Sequence, residues 1–336
     1  MSIEDIAVIG AGSYGTCLAM LFGNAGHRVS FYCRNPQQAA ELETTRLNTT
    51  YLPDHRLPDT VRVTSNLESA VRGARFIVGV TPSHGIREVL GRAAAWMDPD
   101  AIVINASKGL EDNTLATVDA VYRQILPARI AARATYLSGP TFAAEIAAGM
   151  PAAIVLAGHD LETTAAAQDA LGTLHFRIYT TEDVFGVLIG GALKNVIAIA
   201  AGVSDGLGFG SNARVALITR GLAEITRIGV AQGANPLTFA GLSGVGDLVL
   251  TCSGDASRNR RVGLALGQGK SMSDILSDMR MVAEGVKTTK VAHQLAAKIG
   301  VEAPIIDTMN EIIHEGVPVR AAIVKMLSRT PKSERG

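Results

Sequence analysis

The sequence predicts an α/β protein: a doubly wound parallel sheet followed by an all-α domain. Two observations carry this. Up to about residue 182, short β-rich runs alternate with helical patterns, and strand–helix–strand alternation implies a parallel sheet. Beyond that point strand signals vanish and apolar residues recur at helical spacing. On this reading the 336 residues divide into an α/β domain over 1–185, a helical domain over 186–330 and a frayed polar tail over 331–336.

The expected strands are DIAVIG, RVSFYC, RFIVGV, AIVINAS, ATYLSG and AAIVLAG. Several are almost continuously apolar, as strands covered on both faces are. Between the first two, Leu18, Leu21, Phe22 and Ala25 fall on one helix face, and Gly26 is a suitable stop. Residues 44–62, with Pro53 and Pro58, read as an irregular excursion. In the second half, NARVALITRGLAEITRIG takes Asn212 as its N-cap, repeats Val215, Ile218, Leu222 and Ile225, and closes at Gly229. A later helix carries Ile305, Ile306, Met309, Ile312 and Ile313, with Gly316 and Pro318 as stops.

Charge balances, 31 basic residues against 31 acidic, which argues against a broad nucleic-acid footprint. Three cysteines without a CxxC suggest reduced thiols and a cytoplasmic setting. The seven histidines show no metal-ligand spacing, so no metal site is expected. The opening MSIEDIAVIGAG is not a signal peptide, since acids stand where an apolar run would begin. The best membrane candidate is GVLIGGALKNVIAIAAGV, residues 186–203. It is short for a span and has Lys194 and Asn195 at its centre, where charge is most costly. A buried helix, with no stable membrane insertion, is the expectation.

Gly10, Gly12 and Gly15 form GxGxxG directly after a strand and at the start of a helix. The first permits the tight turn, the second lets backbone approach a pyrophosphate, and the third lets helix and strand pack closely. This is a Rossmann-type dinucleotide signature. The second strand ends in FYCRNP, with Arg34 where NAD-specific sites carry an acid. A guanidinium suits a 2′-phosphate, so the reading leans to NADP(H) with NAD(H) tolerated; a solvated loop charge is the alternative. GQGKS around Lys270 lacks the first glycine of a P-loop, because residue 264 is leucine, and GLSGVG is not GxSxG.

Lys108 follows one strand and Gly139 and Thr141 follow another, where ligands of such sheets gather. Lys194 has two readings. Desolvation and a neighbouring ammonium would tune it for proton exchange, or it pairs with a carboxylate to pin two helices. Asp247, between Gly244 and Gly246, lies in a stretch otherwise poor in acids. Ser257, Arg258, Asn259, Arg260 and Arg261 would suit a phosphate at a helix start or form a basic surface turn, and the residues alone favour the turn.

Taken in order, GAGSYGTCLA, SKGLE, SGPTFAAE, GGALKNVIAIAAGVSDGLGFGSNARVALITRGLAE, GLSGVGDLVLTC, SRNRRVG and VAEGVKT resemble the bacterial NAD(P)-dependent glycerol-3-phosphate dehydrogenases over nearly the whole chain. The resemblance implies a Rossmann domain, a helical substrate domain, a homodimer, and interconversion of dihydroxyacetone phosphate and sn-glycerol 3-phosphate for phospholipid synthesis. It implies that Lys194 exchanges the proton with Asp247 as partner. It places Lys108, Gly139, Thr141, Ser257, Arg258 and Asn259 on the substrate. It places Ser13, Tyr14, Arg34, Lys108, Ala143, Arg258, Val282 and Glu284 beside the cofactor. Tyr14 stands where many relatives have tryptophan, and either ring offers a flat apolar face. The alternatives are a β-hydroxyacid or 6-phosphogluconate type of dehydrogenase, which SRNRR after GDL argues against, and a non-enzymatic NAD(P) sensor, which the presence of Lys194, Asp247 and Arg258 argues against.

Overall fold

The computed structural model describes residues 2–279, 283–331, 333 and 334. Its main sheet is built from β1 (Asp5–Ile9), β2 (Arg28–Tyr32), β5 (Val61–Thr64), β6 (Phe76–Gly79), β7 (Ile102–Asn105), β8 (Thr135–Ser138), β9 (Ala152–Gly158) and β10 (Phe176–Thr181). A separate hairpin pairs β3 (Leu47–Asn48) with β4 (Leu52–Arg56). The strand order is β10-β9-β8-β7-β6-β1-β2-β5. β1 lies between β2 and β6 in register, with Val8 opposite both Phe31 and Val78. The order reverses at β1, and the crevice beyond the carboxyl ends of β1 and β6 is where such sheets hold ligands.

β1, β6 and β7 are buried along almost their whole length, because helices cover both faces of the sheet. One layer of core gathers Leu18, Phe22, Phe31 and Val78, and the other gathers Ile9, Ile77, Leu90 and Tyr122. The parallel expectation holds from β5 to β8 but fails at the far edge, where β9 runs antiparallel to β8 and β10 runs parallel to β9. The link from β8 to β9 contains only the 5-residue helix Ala143–Ala147, too slight for the crossover that a parallel neighbour needs.

Residues 44–62 are more ordered than expected. They close the helix Pro36–Thr45, form the β3–β4 hairpin and enter β5. Arg46, at φ 60°, is buried there and donates to the carbonyls of Pro58 and Val61. β10 escapes the sequence reading as well. Its burial alternates, as expected of a half-covered edge strand.

Helices take over at Val184. Asp183 caps the 23-residue helix Val184–Gly206, accepting from Gly186 N at 2.9 Å and from Thr238 Oγ1 at 2.5 Å. This helix is long and apolar enough to cross a membrane, yet 94% of its most apolar window is buried inside the protein. Its neighbours are Gly210–Val230, Asp247–Ser253, Arg258–Gly267, Glu284–Ile299 and Pro304–His314. The approach to Arg258–Gly267 is close. A Cβ on Gly202 would overlap the Arg260 carbonyl, and one on Gly263 would overlap that of Ile199.

Two helix signals were misplaced. The helix expected from Asn212 begins at Gly210, so Asn212 lies inside its first turn and caps nothing. Gly229 does not stop it. The helix runs to Val230, and Gly229 makes room for the Phe239 ring, while the chain turns at Gly233 with φ +89°. Val215 is 61% exposed and lies off the buried face marked by Ile218 and Ile225. Of the tail, Lys332, Arg335 and Gly336 lie outside the described residues; the Glu334 carbonyl accepts from Arg220 at 3.4 Å.

Candidate active site

The chemistry-bearing side chains collect at the carboxyl ends of β1, β6, β7 and β8, where the helical domain meets the sheet. After β1, Gly10 takes φ +123°, and a Cβ there would come within 2.7 Å of the Val80 carbonyl oxygen. A Cβ on Gly15 would overlap the Gly10 carbonyl, whereas one on Gly12 would meet nothing within 4 Å. Gly10 and Gly15 are therefore demanded by the protein's own packing, and Gly12 is not. The helix Ser13–Asn24 starts behind Gly12 with no side-chain cap, so its N-terminal N–H groups and positive dipole end suit a pyrophosphate. The residues present fit a dinucleotide.

Arg34 stands exposed just past β2, before Asn35 caps the helix Pro36–Thr45. Tyr14 accepts a hydrogen bond from Thr141 Oγ1 at 3.3 Å, tying the glycine loop to the loop after β8. Ala143 opens the helix Ala143–Ala147, which packs on Ser13–Asn24.

Lys108 is aimed by a buried turn after β7. Asn105 Nδ2 donates to the Ser107 carbonyl at 2.8 Å, and Ser107 Oγ donates to the Thr81 carbonyl at 2.5 Å. The Lys108 ammonium then donates to Asp247 Oδ2 at 2.7 Å and to the Gly139 carbonyl at 3.2 Å. Lys194 donates to the other oxygen, Asp247 Oδ1, and to Thr251 Oγ1 at 2.8 Å. Thr251 in turn donates to the Asp247 carbonyl at 2.6 Å. Gly190, one turn before Lys194, makes this approach possible, since a Cβ there would lie 2.7 Å from the Ser243 carbonyl oxygen.

One carboxylate thus serves two ammonium groups. Lys194 is 5% exposed and Asp247 1%. Burial pulls the Lys194 pKa down, to about 7; the Asp247 charge opposes the fall and the Lys108 charge adds to it. Each ammonium has three donors, and two of each are engaged. With both lysines protonated and Asp247 ionised, the group would carry one net positive charge and offer one further N–H from each lysine to a ligand oxygen. That is the equipment for stabilising a developing oxyanion and exchanging a proton with it.

Beside this lies the start of the helix Arg258–Gly267. Ser257 is its N-cap, accepting from Arg260 N at 3.2 Å. Arg258 is half-buried at the first helical position. Asn259 is held internally: its Nδ2 donates to Asn195 Oδ1 at 2.9 Å and its Oδ1 accepts from Gly285 N at 3.0 Å. Glu284 accepts from Ser83 N at 3.4 Å. Burial raises its carboxyl to about 7, although Ser83 N–H and the charges of Arg258, Lys108 and Lys194 favour its ionised form. Val282 lies outside the described residues.

The sequence reading missed Thr251 and the tethering role of Asn195. Thr251 is four residues after Asp247 and so shares its helix face, a signal readable only once that helix is known.

The chain matches the family description "NAD-dependent glycerol-3-phosphate dehydrogenase N-terminus" over residues 5–164 and the corresponding C-terminus over residues 183–324. It is 50% identical to a glycerol-3-phosphate dehydrogenase [NAD(P)+] of Geobacter sp. (strain M21), across 98% of this chain and 99% of the relative. It is 51% identical to the protein of that name from Geobacter metallireducens, across 99% of each. The crystal structure of a glycerol-3-phosphate dehydrogenase from Coxiella burnetii superposes with a TM-score of 0.93 at 35% identity, covering 97% of this chain and 99% of that one. A D-mandelate dehydrogenase, 15% identical with a TM-score of 0.60, shares the fold alone.

Proposed function

The chain belongs to the NAD-dependent glycerol-3-phosphate dehydrogenase family and is an NAD(P)-dependent oxidoreductase; from that premise we propose that Lys194 moves the proton of the reaction while Asp247 and Lys108 set its charge. The reaction joins dihydroxyacetone phosphate and sn-glycerol 3-phosphate, and its product would enter phospholipid synthesis. The observation that carries the residue assignment is the buried Lys108–Asp247–Lys194 group.

The chemistry that the nicotinamide supplies when bound is hydride transfer to or from the central carbon. In the reducing direction, the Lys194 ammonium faces the charge that grows on the carbonyl oxygen and gives it a proton. In the oxidising direction, neutral Lys194 takes the alcohol proton. Its pKa near neutrality lets it serve both. Asp247 keeps the charged form accessible, Thr251 orients the ammonium, and Lys108 supplies a second donor from the sheet side. Gly139 and Thr141 border the substrate, and Ser257, Arg258 and the backbone N–H of Asn259, whose side chain is tied to Asn195 and Gly285, receive its phosphate at the helix start. Gly10, Gly12, Ser13, Tyr14 and Gly15 hold the pyrophosphate, Arg34 meets a 2′-phosphate, and Ala143, Arg258 and Glu284 line the rest of the cofactor's path.

A homodimer is part of the proposal. Val215, Val324 and Leu327 are exposed beside an apolar groove of about 400 Å³ lined by Ala213, Leu217, Met309 and Ile323, and a second copy would cover them. A cytoplasmic setting accords with Cys17, Cys33 and Cys252, all buried and unpaired.

The test is oxidation of NADPH and, separately, NADH by the purified protein with dihydroxyacetone phosphate as sole acceptor. The Lys194→Ala protein should lose turnover while binding cofactor as before. Near-normal turnover in that variant would overturn the assignment.

A further inference from the structure

Two cations and a histidine gather where the helical domain overhangs the dinucleotide crevice. Arg34 follows β2, His84 lies in the turn Ser83–Gly85 after β6, and Lys287 lies in the first turn of the helix Glu284–Ile299. The three side chains are exposed, and among the described residues none of them makes a hydrogen bond or an ion pair within the chain. Their proximity is built by the fold. Ser83 N donates to Glu284 Oε1, which seats the turn bearing His84 against the start of the helix. Gly109 backs the same turn, with a Cβ there falling 2.9 Å from Ser83. Lys287, three residues after Glu284, shares its helix face. The charges are felt: partial burial lowers the His84 pKa first, the Lys287 ammonium and the Arg34 guanidinium lower it further, and Asp112 opposes them.

The Arg34 guanidinium and the Lys287 ammonium both lie within electrostatic range of His84, and an anion bound between like charges relieves their repulsion. The pyrophosphate belongs to the N-terminus of Ser13–Asn24, and the end of β2 receives the adenosine ribose. The remaining anion of a dinucleotide at this place is a 2′-phosphate. We infer that Lys287 is a second cationic contact for the 2′-phosphate of NADP(H), acting with Arg34, so that this phosphate is read from both domains at once. The inference rests on the reading of Arg34 as a 2′-phosphate contact.

Adenosine 2′,5′-bisphosphate and adenosine 5′-monophosphate, titrated calorimetrically into the full chain, separate the two ideas. The unaltered protein should favour the bisphosphate, and less so as salt rises. Lys287→Ala should weaken the bisphosphate about fivefold and leave the monophosphate unchanged, and Lys287→Arg should restore it. If Arg34→Ala weakens the bisphosphate but Lys287→Ala does not, the Arg34 reading stands and the inference about Lys287 falls. Equal weakening of both nucleotides by Lys287→Ala also overturns it, because a general structural effect moves both. An unaltered protein that binds the two nucleotides equally overturns both ideas.

Discussion

Replacing Lys194 with methionine separates what the ammonium does for chemistry from what it costs the fold. A solvated lysine ionises near 10.5, and Lys194 is pulled to about 7. At about 1.4 kcal/mol per pKa unit, keeping it charged below pH 7 costs the folded state about 5 kcal/mol. Methionine fills the same channel without charge, and Asp247 keeps Lys108 at 2.7 Å. The attraction of Asp247 is already contained in that pKa; exchanges of buried ion pairs for apolar side chains suggest a gain of about 1–4 kcal/mol at pH 6. The sign follows from proton binding. Between pH 7 and about 10 the unfolded chain holds a proton that the folded chain has released, so the unaltered protein grows more stable as pH rises. The advantage of Lys194→Met is therefore largest below pH 7 and shrinks toward pH 9. Urea midpoints at pH 6, 7.5 and 9 measure it, alongside a fall in turnover of about 10²–10⁴. A variant less stable than the unaltered protein at pH 6, or a difference that does not change with pH, refutes the reasoning.

Thr251→Val removes a 2.8 Å bond to the Lys194 ammonium. Hydrogen bonds to charged groups contribute about 1.5–3 kcal/mol, so the pH profile of carbonyl reduction should move acid by about one unit or more, with Thr251→Ser restoring it. An unmoved profile would show that Thr251 only packs. In the glycine turn the two substitutions should part company. Gly15→Ala forces a Cβ into the Gly10 carbonyl and should lower the melting temperature, whereas Gly12→Ala has room, should melt normally and should weaken NADPH at least about tenfold, the affinity lost when backbone no longer reaches the pyrophosphate. Unimpaired NADPH binding by Gly12→Ala would mean the pyrophosphate lies elsewhere.

The inner strands are legible in the sequence because burial on both faces writes them as apolar runs. β10 is not, since Phe176 and Ile178 alternate with polar neighbours at the sheet edge. No local pattern distinguishes β9 as antiparallel; its direction depends on how far the chain travels after β8. Lys194 is conspicuous because a charge in an apolar helix demands a partner, and Asp247 was identifiable as that partner only through resemblance. The bonds of Asn259 to Asn195 and Gly285 join residues from three helices, and spacing along one chain carries no trace of them. The run Ser257–Arg261, which its composition reads as a surface turn, opens a helix with Ser257 and Asn259 buried.

The glycine seam between Val184–Gly206 and Arg258–Gly267 makes a gauge of the two helices. Lys194 rides on one and Arg258 on the other, and backbone meets backbone at Gly202 and Gly263 with no flexible side chains between them. The Asn195–Asn259 bond clamps the same pair beside the chemistry. Neither helix can slide along the other without driving carbonyl oxygens into α-carbons. On the roles proposed for Lys194 and Arg258, the span from proton donor to phosphate seat would be a constant of the protein, and a substrate would be measured against it. On that reading a carbon chain one unit longer would bring its carbonyl past Lys194 or lift its phosphate off the helix end, so selection by length would require no side chain placed to reject the wrong molecule.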